Sequence, residues 1–297
     1  MKRILVLKTP TISIVIPVFN GVNTIDRCLE SVAMQSFPDF EVIVVDDGSA
    51  DETAMKARKW SARDDRFRLL QIDHSGVSFA RCAGLELASS SLISFIDADD
   101  IISPLFLQKL HAAMLATDSD IAECARLKTA PGAVPVWTDS HSAPLVFEQP
   151  MLLRRVLRYE NYSIGLWNKL YKKDLFEGIE WPPVSFHEDE ALLPLVAERA
   201  NLMSQIEDCC YAYVQREESL TNTKELDSSL MDLLSILEHR YKHFLPLGDQ
   251  EVNEANLECL SSVCFHYREH FSDRLSNKAI ETLSSIIKRL QEGKMGD

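Results

Sequence analysis

The chain has 297 residues, 46% of them hydrophobic, which is enough for one large or two modest domains with a real core and argues against large-scale disorder. Asp and Glu number 45 against 31 Lys and Arg, a formal charge of −14 that argues against general nucleic-acid binding through a basic surface. The seven Cys are odd in number, lack a C-x-x-C pair and include adjacent Cys209 and Cys210, so no disulfide framework is expected and a reducing compartment fits.

Residues 1–7 hold a short apolar run that polar residues cut off before a signal-peptide core forms, so they read as a tail or an extra strand. No apolar stretch approaches the roughly 20 residues that cross a bilayer, and a soluble or peripheral protein is expected. Residues 12–18 and 41–45 are short, β-branched, nearly continuous apolar runs, the pattern of strands buried on both faces of a parallel sheet. Between them Ile25, Cys28, Leu29 and Val32 recur at helical spacing, with Asn23 as the expected cap. Ser49 and Glu52 have capping-box spacing for a second helix, and residues 67–72 read as a third strand. Ala80, Ala83, Gly84 and Leu87 mark a third helix, residues 92–96 a fourth strand, and Ser103-Pro104 the start of another helix.

Strand and helix therefore alternate from residue 12 to about 125, as in a doubly wound α/β sheet. Pro131, Pro135, Pro144 and Pro150 then punctuate a stretch of little periodicity, a long loop or irregular edge sheet and a plausible domain seam. From residue 224 onward the pattern is helical, with Leu230, Leu233, Leu234, Leu237 and Tyr241 on one face and two further sets behind it. This reads as a C-terminal helical extension, suited to homo-oligomer formation or docking.

The run Phe95-Ile96-Asp97-Ala98-Asp99-Asp100 places three carboxylates at the end of an apolar strand. In an open α/β sheet that edge is where ligands bind, and clustered carboxylates there call for a cation. The alternative is an acidic turn that caps the next helix. Asp46-Asp47-Gly48-Ser49 follows the second strand, so two acidic strand ends share one edge.

Residues 14–20 (Ile-Val-Ile-Pro-Val-Phe-Asn), 46–53 (Asp-Asp-Gly-Ser-Ala-Asp-Glu-Thr), Gly76 with Ala80-Arg81, and Asp97-Ala98-Asp99-Asp100 together resemble an inverting family-two glycosyltransferase with the GT-A fold, of the bacterial surface-glycan type. The match covers residues 12 to about 125 and continues more weakly through Leu166-Trp167-Asn168-Lys169-Leu170-Tyr171 and His187-Glu188-Asp189-Glu190 to about residue 220. It implies a Rossmann-like, mostly parallel sheet flanked by helices. The expected division is a nucleotide-sugar-binding half at 1–125, an acceptor-binding half with the catalytic base at 126–220, and a helical region at 221–297.

The resemblance implies that Pro17, Val18, Phe19 and Asn20 line the base pocket of a UDP-sugar, with Asp46 and Asp47 beside it and Asp47 accepting a hydrogen bond from uracil N3. Asp47 as a turn acid is the alternative. Asp99, with Asp97 and Ala98 before it, would hold Mg²⁺ or Mn²⁺ against the diphosphate, and hard oxygen ligands suit either ion. An inverting enzyme also needs a base on the acceptor side. Asp189 is the candidate, oriented by Glu188, with ordinary first-turn helix acids as the alternative; Pro194 interrupts the helix that follows.

Arg81 reads as a diphosphate neighbour or an ion-paired helix residue, and Trp167 as an acceptor-side sugar platform or a core residue. His187 is an additional ligand or proton carrier on the acceptor side, and Arg216 and Ser219 match a segment that closes over the donor phosphates or form a surface turn. Cys259, Cys264, His266 and His270 have zinc-like types but no zinc spacing and read as helix residues. Arg154, Arg155 and Arg158 form a basic amphipathic segment that reads as a solvated helix face or a contact with anionic lipid. The implied acceptor is a glycan or lipid-linked saccharide, and the implied place is the cytoplasm, peripheral at the inner face of the cell membrane. Rival readings are a degenerate nucleotide-sugar-binding protein and a nucleotidyltransferase, although Pro17-Val18-Phe19-Asn20-Gly21 is not the latter's Gly-rich loop.

Overall fold

A computed structural model of the chain describes residues 9–160, 163–184, 186–215, 226–293 and 295. The N-terminal residues 1–8, expected as a tail or extra strand, lie outside the described residues. The apolar runs form Ile12–Val18 (β1), Phe40–Asp47 (β2), Phe67–Ile72 (β3) and Leu92–Phe95 (β4), paired in parallel in the order β3-β2-β1-β4. Every side chain of β1 is buried, as its unbroken β-branched run requires of a strand covered on both faces.

Helices Ile25–Ala33 (α1), Thr53–Arg63 (α2) and Val77–Leu87 (α3) make the crossovers. α3 lies so close to the sheet that a Cβ on Gly84 would stand 2.4 Å from Val15 Cγ1, so only glycine fits there. The chain winds from β1 outward to β3, and α3 then returns it to the other side of β1. The topological switch point of this half-sheet therefore lies between β1 and β4.

Two expected caps are corrected. Asn23 does not cap α1; the amides of Thr24 and Ile25 donate to Gly21 O, which closes the turn without a side chain. Ser49 and Glu52 form no capping box, because Asp51 accepts from the Thr53 amide (3.0 Å) and Ser49 is engaged by Asn20.

Beyond β4 the sheet becomes mixed. Ile101–Ile102 (β5), Phe106–Thr117 (α4), Ile121–Thr129 (β6), Leu145–Glu148 (β7), Lys169–Lys172 (β8) and Leu202–Val214 (β9) complete it. β8 runs antiparallel between β4 and β6, β9 runs parallel to β6, and β5 and β7 pair with β9. The proline-punctuated stretch before β7 contains almost no regular structure.

The Leu-Trp-Asn-Lys-Leu-Tyr segment delivers a charge into this sheet. Lys169, fully buried, lies 3.2 Å from Glu123 Oε1 and 3.0 Å from Asn168 Oδ1, while Asn168 Nδ2 donates to Glu123 Oε1 and Cys124 O. Removing one partner of a buried pair strands the other charge, so Lys169→Met is expected to lower unfolding stability by about 3–5 kcal/mol. Adding Glu123→Gln to it should recover part of the loss in denaturant melts, and a single-variant cost below about 1 kcal/mol would contradict a desolvated pair.

The described residues divide into two compact units: 9–147, 166–179 and 200–215 form the first, and 148–160, 163–165, 180–184, 186–199, 226–293 and 295 the second. The segment 126–220, expected as one acceptor-binding half, thus contributes to both. Its strands complete the sheet of the first unit. Its helices Met151–Arg158 (α5) and Glu188–Arg199 (α6) belong with Leu226–Phe244 (α7), Gln250–His270 (α8) and Asn277–Gln291 (α9). Within this second unit Leu230, Leu234, Leu237, Leu260, Leu283 and Ile286 share one apolar core.

Arg154 pairs with Asp249 and Glu251 at 2.8 Å each, and Arg158 with Glu258 at 3.1 Å. Two arginines of the basic segment expected as a solvated or lipid-facing surface are therefore paired with Asp249, which caps α8, and with Glu251 and Glu258 within it. Among the described residues no helix is long and apolar enough to cross a membrane.

Candidate active site

In the first unit, β1 ends at Val18 and is followed by Phe19, 47% exposed, and by Asn20 at φ +48°. Pro17 and Val18 are buried, so their side chains hold the strand end and Phe19 is the member of this segment that is open to a ligand. Asn20 is locked to the loop after β2: its amide donates to Ser49 Oγ (2.8 Å) and its Oδ1 accepts from the Ala50 amide (2.9 Å).

Asp46 and Asp47 close β2 and are both buried. Asp46 accepts from the Ser49 amide and from Gln71 Nε2. Asp47 accepts from the amides of Ser75 (2.7 Å) and Gly76 (2.9 Å) and meets His74 Nδ1 at 2.9 Å. Asp47 does not cap the helix that begins near Asp51; its carboxylate accepts instead from the amides that lead into α3. An ionised carboxylate offers about four acceptor positions, so a further donor can still be met. His74 also stacks on Phe19, ring centroids 4.0 Å apart, and the two rings form an aromatic shelf beside Asp47.

Past β4, Asp97, Asp99 and Asp100 each place an oxygen within 4.8 Å of the others. They divide into different tasks. Asp100 is fully buried and tied to β9, accepting from Tyr211 Oη (2.7 Å) and the Val214 amide (2.8 Å). Burial, followed by the charges of Asp97 and Asp99, pushes its carboxyl well above the usual range. Asp97 meets the buried Arg81 at 2.6 Å, and Arg27 donates to the Asp99 carbonyl (3.3 Å). Burial and then the charges of Asp100, Asp99 and Asp97 also push the Cys28 thiol up, so several neighbouring groups register the same negative potential.

This donor set fits a hard divalent cation. Asp100 is fully buried against β9, whereas Asp99 and Asp97 are only partly buried and are the acids of the cluster that could hold such an ion; buried Ala98 keeps the spacer small. Arg81 is ion-paired and buried rather than solvated.

Trp167 is a core residue, not an open platform: it is 7% exposed, stacked on Tyr211 at 4.7 Å and Tyr213 at 5.6 Å, with Arg126 over its ring. In the second unit, Glu188, Asp189 and Glu190 occupy the first turn of α6, where the helix dipole favours acids. Glu188 is buried and Asp189 half-buried. His187 Nε2 is engaged by Ser229 Oγ at 2.8 Å, and burial pushes its pKa down against the opposing charges of Glu188 and Asp232. Arg216 and Ser219 lie outside the described residues. Asp100 had a sequence signal as the third acid of its run; His74, two residues before the motif glycine Gly76, had none of its own.

A family profile described as glycosyl transferase family 2 matches residues 13–179, more than half of the chain. The chain belongs to glycosyl transferase family 2. The family segment begins at β1 and ends beyond β8, so it takes in the aromatic shelf and the Asp cluster. The chain is 27% identical over 217 residues to the uncharacterized glycosyltransferase EpsJ of Bacillus subtilis, covering 71% of this chain and 63% of EpsJ. It is 26% identical over 234 residues to the glycosyltransferase GlyA of Streptococcus pneumoniae, covering 75% of this chain and 34% of GlyA. The chain thus spans less than two thirds of the length of either relative. Its fold is shared with S. aureus TarS 1–349, solved in complex with UDP-GlcNAc, at a TM-score of 0.63 and 18% identity, covering 96% of this chain and 88% of that one. The GT-A architecture expected from the motifs is the observed one.

Proposed function

We propose that this family-2 chain transfers a hexose or N-acetylhexosamine from a UDP-sugar to a hydroxyl of a glycan or lipid-linked saccharide, with inversion, in the synthesis of a bacterial surface polysaccharide or lipid-linked oligosaccharide. The observation that carries this reading is the pair of acidic strand ends, after β2 and after β4, at the switch point of the sheet. TarS, whose fold it shares, was solved with UDP-GlcNAc, which supports a uridine donor.

In this reading the Phe19–His74 shelf takes the uracil face, and Asp47, pre-oriented by two backbone amides, accepts from N3. Asp99 and Asp97 hold Mg²⁺ or Mn²⁺, which when bound stabilises the charge that develops on the departing diphosphate. Arg81 keeps Asp97 in place. Asp189 removes the proton of the attacking acceptor hydroxyl, and Glu188, buried beside it in the same helical turn, orients it. In this reading the chain acts from the cytoplasmic side, by peripheral contact with the membrane that carries a lipid-linked acceptor.

A UDP-release assay across UDP-glucose, UDP-galactose, UDP-GlcNAc and UDP-GalNAc, each with and without Mn²⁺, tests the proposal. One donor is expected to release UDP, and only with metal. Metal-dependent UDP binding without release from any donor would favour a degenerate binding protein. GDP release from GDP-mannose in a parallel assay, with no UDP release from any of these donors, would overturn the uracil assignment.

A further inference from the structure

The first turn of α6 is held by more than its own helix, and the holding groups are ones that globular cores seldom bury. Arg240 of α7 is buried. Its Nη1 lies 3.7 Å from Glu190 Oε2 and 3.4 Å from Tyr159 Oη, and its Nε donates to Asn256 Oδ1 of α8 at 2.9 Å. Tyr159, at φ +55° just past α5, donates its hydroxyl to Glu190 Oε2 and accepts from Cys259 Sγ (3.2 Å). Tyr159 from the end of α5 and Arg240 from α7 thus meet on one carboxylate of α6 next to Asp189, and α8 supports both of them through Cys259 and Asn256. Burial pushes the Glu190 carboxyl up, against the pull of Tyr159 and Arg240.

Two further contacts pin the same turn to α7. The Phe186 amide donates to Asp232 Oδ2 (3.3 Å), and His187, at the left-handed φ of +61°, meets Ser229 through Nε2. A non-glycine residue adopts that conformation only where its surroundings enforce it. A surface helix start needs only a cap; this one is clamped from the side by a buried charged network.

We infer that Tyr159, Glu190 and Arg240 form a clasp that sets the position of the first turn of α6, making Arg240 and Tyr159 positioning residues for Asp189. The inference rests on the proposed role of Asp189 and extends it: the C-terminal helices serve the reaction and are not solely an oligomerisation surface. Glu190, spent on the clasp, is not itself the base. A group acting through position moves kcat and leaves donor affinity alone, since small misplacements at a reacting centre cost up to about 100-fold in rate.

The test uses the full chain and the double variant Glu190→Gln/Arg240→Met, which removes both buried charges together. Amide hydrogen exchange of residues 187–192 is expected to accelerate by about tenfold or more. The kcat should fall by about 10- to 100-fold, with donor KM and calorimetric UDP affinity in Mn²⁺ unchanged. Arg240→Lys, which keeps the charge, should restore part of both protection and kcat. Unchanged exchange overturns the clasp, and accelerated exchange with wild-type kcat overturns its positioning role. Should the double variant not fold, Tyr159→Phe, which deletes a single hydroxyl, is measured by the same readouts against the same outcomes. If the wild type turns over no donor, it is the transferase reading that fails, while the exchange result still decides whether the clasp holds the turn.

Discussion

Asp99→Ala is expected to abolish turnover and to remove the metal dependence of UDP binding. Asp99 is the acid that the family resemblance assigns to the metal, and it is partly buried where Asp100 is fully buried against β9. Losing a preorganised stabiliser of developing charge costs about 10²–10³ in rate, and losing a metal that provides this stabilisation costs at least as much. The fold should survive. Asp99 is half-buried, and its charge is one of those that disfavour ionisation of Asp100, so its removal relieves repulsion in the metal-free protein. Calorimetry of UDP binding with and without Mn²⁺, beside a thermal melt, separates the effects: the variant should melt no lower than the wild type without metal and show UDP binding that no longer responds to Mn²⁺. Wild-type metal-dependent affinity in Asp99→Ala would sink the metal assignment.

Asp189→Asn should abolish turnover while leaving metal-dependent UDP binding intact. A positioned general base contributes about 10²–10⁴-fold, and asparagine matches aspartate in size while lacking its basicity. Asparagine is also acceptable near a helix N-terminus, so the turn held by Ser229, Asp232 and Arg240 should persist. The three acids of this turn are otherwise hard to tell apart, and their surroundings separate them. Glu188 is buried, Asp189 and Glu190 are both half-buried, and Glu190 is engaged by Tyr159 and Arg240. Single-turnover rates and UDP affinity measured on Asp189→Asn decide the matter. Retention of more than about a tenth of the wild-type rate, within 1.4 kcal/mol of its barrier, would place the base elsewhere.

Much of residues 12–125 is legible in the sequence. The unbroken apolar runs of β1 and β2 require cover on both faces, and the helical spacing between them supplies it. Acids directly after β2 and β4 then have to share an edge, because parallel strands joined by crossovers end on the same side. Gly84 was read as part of a helical face; only packing shows that Val15 makes glycine obligatory there. The caps of α1 and α2 were misread because Asn23, Ser49 and Asp51 are all competent capping residues, and competition among them is settled by backbone turns and by Asn20, 29 residues away from Ser49.

Residue types and spacing thus determined the alternation of strand and helix, the acidic strand ends and the helical character of the C-terminal quarter. Partners far along the chain determined the rest. Amphipathic spacing shows that α5 has an apolar face and a basic one, but not that Asp249, Glu251 and Glu258, roughly 100 residues on, neutralise two of its arginines. Spacing likewise left Trp167 between core and platform until Tyr211 and Tyr213 were seen to cover it. It also left Glu190 equivalent to Asp189 until Tyr159 and Arg240 claimed it. Periodicity records which face of an element must be buried or paired; the identity of the burying group depends on contacts between segments remote in sequence, such as those that tie Asp100 to β9 and Glu190 to Tyr159 and Arg240.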